Sequence, residues 1–263
     1  MTVAVDAVRT HEFAPGLRLD VHRAPGESPG AVVYLHGGGF VTGDRAMDRE
    51  RIRALVAHGL TVVAPDYRLS PAATFPAPVD DVRAAVDWVR AHPDETGAAT
   101  GAVALWGASA GAVLAALAAL SGPTDVQAVV SWFGFSDIAT YSARSPLEAA
   151  VLPPTGPAHA LLGAADLAAA PDLLREASPV SHVHAAAPPF LIAHGDRDRM
   201  VDIAESRRLH DELTRAGART TLLVLGGAGH EDPAFDEPSS IAVTAAFLRS
   251  HLQAATTRGE RHE

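Results

Sequence analysis

The sequence has no cysteine, so a disulfide framework of the kind that staples small secreted domains is excluded. It also has no apolar run near the roughly 20 residues that a membrane-spanning helix needs. The first residues, MTVAVDAVRTHEFAPG, lack a basic segment followed by a hydrophobic core and a small-residue cleavage site. Together these absences predict a soluble, cytoplasmic protein with no membrane span. Basic clusters are missing too: Lys+Arg 21 against Asp+Glu 31 gives a net charge of −10, which argues against a phosphate backbone as partner and predicts no nucleic-acid binding.

What the chain does have is alternation. Short apolar runs rich in β-formers, AVVYLH (31–36), TVVAPD (61–66), AVALW (102–106), VQAVVSWF (126–133), PFLIAH (189–194) and TTLLVL (220–225), read as strands. Between them, DRERIRALVAHG, PVDDVRAAVDWVRAHP, SAGAVLAALAALSG and IAESRRLHDELTRAGA repeat apolar residues at helical spacing and often stop at glycine or proline. Strands apolar on both faces, alternating with helices, predict an α/β fold with a mostly parallel sheet covered on both sides. RTHEFAPGLRLDVHRAPG adds an antiparallel hairpin at its edge, giving about eight strands. The length, 263 residues, fits one large domain over residues 1–255. The stretch from Ser136 to Ala187 breaks the rhythm with LPPTGP and many alanines, and reads as a cap-like insertion over the site. Residues 256–263 read as a flexible polar tail.

Between one such strand and one such helix lies GASAG, residues 107–111, with Ser109 at its centre. A hydroxyl is a poor nucleophile at neutral pH and needs a base, a group to orient that base, and donors for the oxyanion. GASAG matches a nucleophile elbow, a sharp strand-to-helix turn that glycines on either side make sterically feasible. The bland alternative is that Ser109 merely caps an alanine-rich helix.

The other parts have candidates. YLHGGGF (34–40) follows the first long strand, and its glycines let backbone N–H groups face a bound oxygen; Gly38 and Gly39, with the N–H of Ala110, are the expected oxyanion donors. His36 in this loop reads as a structural hydrogen-bonding group. LIAHGDRDRMVD (191–202) supplies an acid, Asp198 ahead of Asp196, and either aspartate could instead cap its loop. LGGAGHED (225–232) supplies His230. The order Ser, Asp, His is that of the α/β-hydrolases.

These motifs together resemble the α/β-hydrolase superfamily and, within it, the bacterial esterases that carry an HGGG loop. DYRLSPAATFPAPVDDVRAAVDWV (66–89) is similar to a segment of the hormone-sensitive-lipase-like and feruloyl or acetyl esterase-like branches. HGDRDRMVD resembles the acid segment of the feruloyl-esterase-like form, and that resemblance selects Asp198 as the acid. Two departures stand out: the elbow reads GASAG where the lipase-like branch prefers GDSAG, and Asp202 stands where proline is usual.

The expected chemistry is ester hydrolysis by Ser109, His230 and Asp198 through an acyl-enzyme, on a small to medium ester. A biosynthetic acyltransferase, lactone-forming enzyme or cyclase would use the same three residues and exclude water. A ligand-binding protein on a hydrolase scaffold is the reading from outside enzymology. Phe40, Trp132, Phe135 and Tyr141, with Phe133 beside them, are candidate pocket walls. No cofactor and no metal are expected, since a histidine pair such as His182 and His184 is a weak signal on its own. An exposed sheet edge leaves a homodimer open without selecting one.

Overall fold

In the computed structural model of the protein, residues 8–98, 101–122, 125–143, 155–164 and 166–259 are described. Eight strands form one sheet: β1 (Arg9–Ala14), β2 (Leu17–His22), β3 (Ala31–Leu35), β4 (Thr61–Pro65), β5 (Val103–Ala108), β6 (Val129–Trp132), β7 (Phe190–Gly195) and β8 (Thr220–Leu225). Their order across the sheet is β1-β2-β4-β3-β5-β6-β7-β8. The β1–β2 hairpin is antiparallel and joins β4 antiparallel, while every other pairing is parallel. All six strands read from apolar runs are present. β3, β4, β5 and β7 are buried at every residue, as continuous apolar strands in a doubly covered sheet must be.

Five longer helices cover the sheet: α1 (Arg49–Ala57), α2 (Ala77–Ala91), α3 (Ala110–Leu120), α4 (Ile203–Arg215) and α5 (Pro238–Gly259). One apolar core lies beneath α2, α3 and α4 and holds Val79, Val82, Leu114, Leu117, Leu209 and Leu213. A second, on the opposite face under α1 and α5, holds Ile52, Leu55, Trp106, Trp132, Ile241 and Leu248. α3 has no exposed face: every residue from Ala110 to Leu120 is buried, and its small alanines let it lie close against β5 and β6. α4 begins at Asp202, whose carboxylate accepts a hydrogen bond from the Ala204 amide at 2.8 Å, so the aspartate found where proline is usual serves as the helix N-cap.

One part differs from expectation. α5 is a helix that the strand-and-helix pattern did not single out, and it runs to Gly259, into the stretch expected to be a tail; residues 260–263 lie outside the described residues. The segment between β6 and β7 carries short helices at Ile138–Tyr141, Pro157–Leu162 and Pro171–Glu176. Residues 144–154 and 165 of the expected insertion lie outside the described residues. Its described part is anchored to the domain: the Phe75 amide donates to the Leu161 carbonyl at 2.7 Å and the Ser70 hydroxyl to that of Ala160 at 2.5 Å.

This topology places the loops after β3, β5, β7 and β8 at the carboxyl ends of the parallel strands. In open α/β sheets that edge is where ligands bind.

Candidate active site

Ser109 follows β5 directly and precedes α3. Its backbone has φ 52° and ψ −117°, a strained combination for a residue with a β-carbon. The turn is feasible because of its flanking glycines. A β-carbon at Gly107 would fall 2.1 Å from the Gly111 carbonyl oxygen, and one at Gly111 would fall 2.1 Å from that of Leu35. The Ser109 amide donates to the Trp132 carbonyl at 2.9 Å, tying the elbow to β6. The hydroxyl makes no capping bond to the helix; it lies 2.9 Å from His230 Nε2. That geometry departs from the plain helix-cap alternative.

His230 sits in the loop after β8, and its Nδ1 is 2.7 Å from Asp198 Oδ2 in the loop after β7. A carboxylate only accepts, so Nδ1 carries the proton and Nε2 presents its lone pair to the serine hydroxyl. The Phe133 ring packs edge-on against the imidazole, with centroids 4.9 Å apart. The Asp198 side chain is fully buried. Burial pushes its carboxyl up, but hydrogen bonds from His194, His230 and the Val201 and Met200 amides outweigh that, holding it well below the usual carboxylate range. The backbone bonds are 2.8 Å from Met200 and 2.9 Å from Val201, both to Oδ1.

His194, buried behind the acid, was not found by sequence reasoning. Its Nε2 lies 3.2 Å from Asp198 Oδ2 and 2.9 Å from the Val201 carbonyl, while its Nδ1 is hydrogen-bonded to the Ser206 hydroxyl at 2.7 Å. Asp196 faces elsewhere: its Oδ1 accepts from the Gly227 amide at 2.6 Å and so holds the loop after β8.

The glycine loop after β3 passes over Ser109. Gly38 and Gly39 have positive φ of 107° and 62°, and with Ala110 they line the same cavity as Ser109 and His230. None of the amides of Gly38, Gly39 and Ala110 donates to another described residue. His36 shapes the loop from below. Its Nδ1 is 2.7 Å from the Gly37 carbonyl, its ring stacks on Tyr67 at 4.3 Å, and burial pushes its pKa down.

The cavity measures about 450 Å³, within the range of small-molecule sites. Phe40, Phe135 and Tyr141 are among the residues that line it. Trp132 does not. Its side chain lies on the other face of the sheet, 1% exposed, packed on Trp106 and Phe235, and this corrects its candidacy as a pocket wall. In a strand apolar on both faces, the sequence has no alternation that tells which side each residue takes. Met47, Pro157, Met200, Val201 and Glu231 line the cavity without having been anticipated; exposed methionines in loops carry no periodic signal. Among the described residues, no group of three or more His, Cys, Asp or Glu is placed to hold a metal ion, and His182 donates from Nε2 to the Glu176 carbonyl at 2.7 Å.

The BD-FAE family model matches residues 19–213. Esterase LipQ of Mycobacterium tuberculosis is 33% identical over 228 residues, 79% of this chain and 53% of that protein. Esterase LipC of the same organism is 32% identical over 241 residues, 82% of this chain and 57% of that one. The chain thus spans about half the length of these curated relatives. A truncated carbohydrate esterase from gut microbiota superposes with a TM-score of 0.84 at 23% identity, covering 96% of this chain and 98% of that one, and shows the shared fold. An esterase from Pyrobaculum calidifontis gives 0.75 at 26% identity, with coverage of 96% and 87%. Among the described residues no helix is long and apolar enough to cross a membrane. With most of its length matched by one family model and its fold shared with solved esterases, the chain belongs to the BD-FAE family and has the α/β-hydrolase fold.

Proposed function

We propose that the protein is a carboxylic-ester hydrolase that works through an acyl-enzyme on Ser109. The observation that carries this reading is the continuous relay from Ser109 Oγ to His230 Nε2 at 2.9 Å and from His230 Nδ1 to Asp198 Oδ2 at 2.7 Å. Similarity to proteins named as esterases supports the ester as substrate class.

In this reading Ser109 Oγ attacks the ester carbonyl carbon while His230 Nε2 takes its proton. The C–O bond to the alcohol then breaks, and His230 returns the proton to the departing oxygen. Water, deprotonated by the same imidazole, cleaves the acyl-enzyme and frees the acid. Asp198 holds the tautomer and offsets the imidazolium charge. The amides of Gly38, Gly39 and Ala110 receive the negative oxygen of each tetrahedral intermediate.

The cavity's size and mostly apolar walls favour a small to medium ester, with Phe40, Phe135 and Tyr141 against the substrate. Residues 136–187 act in this reading as an insertion in the single domain, supplying Tyr141 and Pro157 to the rim.

The test is initial-rate hydrolysis of p-nitrophenyl esters from acetate to decanoate, with the wild type and Ser109→Ala in parallel. Activity should peak at the shorter chains and fall by about 10⁴ to 10⁶ in kcat in the variant. A variant that keeps more than a tenth of wild-type turnover contradicts the assignment.

A further inference from the structure

Beneath the histidine loop lies a buried arginine that the relay does not use. Arg51, on α1, has a side chain only 4% exposed, yet no contact joins it to Ser109, Asp198 or His230. It engages the loop at two points: Nε and Nη2 donate to the two oxygens of Asp236 at 2.6 and 3.0 Å, and Nη2 also donates to Glu231 Oε2 at 3.2 Å. On its other side it donates to the Tyr34 hydroxyl at 3.1 Å, and its guanidinium lies 5.1 Å from the Trp132 ring centroid. A desolvated guanidinium is costly unless its donors are met, and these partners take up Nε, Nη1 and Nη2.

Glu231 is the residue next to His230. Its φ of 53° is left-handed, a region that a residue with a β-carbon enters only when its surroundings impose it. Its second carboxylate oxygen, Oε1, reaches the glycine loop, where a β-carbon on Gly37 would meet it at 3.1 Å. Glu231 also lines the cavity. This carboxylate therefore ties the histidine loop to α1 and lies close beside the expected oxyanion loop.

We propose that Arg51 and Glu231 form a positioning strut that sets where the His230 ring stands relative to Ser109 and the glycine loop. This rests on the reading of His230 as the general base. Asp236 by itself would anchor the loop; the second attachment, adjacent to the histidine and held in a disfavoured backbone conformation, fixes the angle at which the ring enters the site. Relays of this kind lose rate steeply with small displacements of the base.

The strut also places charge beside the imidazole. His230 faces Asp198, with His194 behind it, from the β7 loop, Ser109 from the elbow, and the uncharged Phe133 ring from the end of β6. Its own loop brings Glu231, Asp232 and Asp236; α1 brings Arg51, with Asp48 3.8 Å from it; the Tyr141 hydroxyl comes from the insertion. Removing the negative charge of Glu231 makes the imidazolium harder to form, so the acid limb of kcat/KM moves to lower pH. Removing the positive charge of Arg51 moves it to higher pH.

The test compares wild type, Ser109→Ala, Glu231→Gln, Glu231→Ala, Arg51→Lys and Arg51→Met in full steady-state kinetics with p-nitrophenyl acetate across pH. Glu231→Ala should lower kcat by about tenfold, because the base is displaced. Glu231→Gln should shift the acid limb down and Arg51→Met up, each by a few tenths of a pH unit. Arg51→Lys keeps the charge but not the fork, so it should retain the acid limb while lowering kcat. Should the Arg51 variants fail to fold, the Glu231 pair decides. A Glu231→Ala enzyme with kcat within twofold of wild type, or a Glu231→Gln enzyme with an unmoved acid limb, overturns the strut while Ser109→Ala stays inactive. Activity in Ser109→Ala would instead sink the relay itself.

Discussion

The nucleophile and the base are held in place by different means. Ser109 is fixed through backbone: a five-residue turn between a strand and a helix, two glycines whose β-carbon positions lie against the carbonyl oxygens of Gly111 and Leu35, and an amide bonded to the Trp132 carbonyl. His230 is fixed from a distance. Its acid partner comes from the β7 loop, the acid is held by His194 and two amides, and the loop itself is tied to α1 through Arg51, 180 residues away in sequence from Glu231. Local backbone constraints leave a motif that can be read; long-range side-chain constraints leave single letters.

The sharpest way to break the comparison is at the elbow. Gly111→Ala puts a methyl group 2.1 Å from the Leu35 carbonyl oxygen and 2.5 Å from that of His36, backbone atoms at the end of β3 and the start of the loop that follows it. Such a contact has no flexible neighbour to absorb it, so the expected result is loss of soluble folded protein, read by circular dichroism and recovery after expression. Folding with normal Tm would contradict the packing described for this turn.

On the distant side, Asp198→Asn should keep the fold and lose rate. The amide retains the shape but can present a donor to Nδ1, favouring the wrong tautomer, and kcat should fall by about 10³ to 10⁴. The same variant tests a stability effect of known sign. Because the Asp198 carboxyl is held below its ordinary value in the folded state, it contributes stability that is fully present above about pH 4 and fades as pH falls below that. Urea denaturation at pH 3 and pH 7 should therefore show a smaller acid loss in Asp198→Asn than in the wild type. An equal loss would mean that the carboxylate is not specially held.

Smaller effects are expected away from the relay. Tyr141→Ala opens the cavity where Tyr141 stacks on Phe135 at 4.4 Å. It should move the preferred p-nitrophenyl ester to a longer acyl chain, with kcat on acetate altered less than about fivefold; an unchanged chain-length profile would remove Tyr141 from the substrate wall. Trp132→Phe, on the opposite face, should cost about 1–3 kcal/mol of stability through the space it leaves, with kcat within about threefold. A changed acyl preference in that variant would contradict the placement of Trp132 away from the cavity.

The same contrast explains what the sequence made legible. Strands and elbow stood out because burial on both faces and a steric need for glycine are written in consecutive residues. α5 did not stand out: its buried stripe, Ile241, Ala245, Leu248 and Leu252, has helical spacing but is diluted by alanine, serine and threonine, and its last turns read as a polar tail. Trp132 lies away from the cavity, and β6, buried at every residue with only Ser131 polar, has no alternation that shows which side it takes. Arg51 sits among the apolar positions of α1, beside the buried Ile52, Leu55 and Val56, where an arginine reads as an ordinary surface residue until its carboxylate partners from the far end of the chain are seen. His194, two residues before Asp196 at the end of β7, likewise acquires its meaning only when Ser206 and Asp198 close around it.

The most direct measurement is intact-protein and peptide mass spectrometry after reaction with a fluorophosphonate, in wild type, Ser109→Ala and His230→Ala. The account predicts one adduct per chain, located on Ser109, absent in Ser109→Ala, and formed at least about a hundredfold more slowly in His230→Ala. An adduct on another residue, or labelling of Ser109 at the wild-type rate without His230, would contradict a serine activated by that histidine.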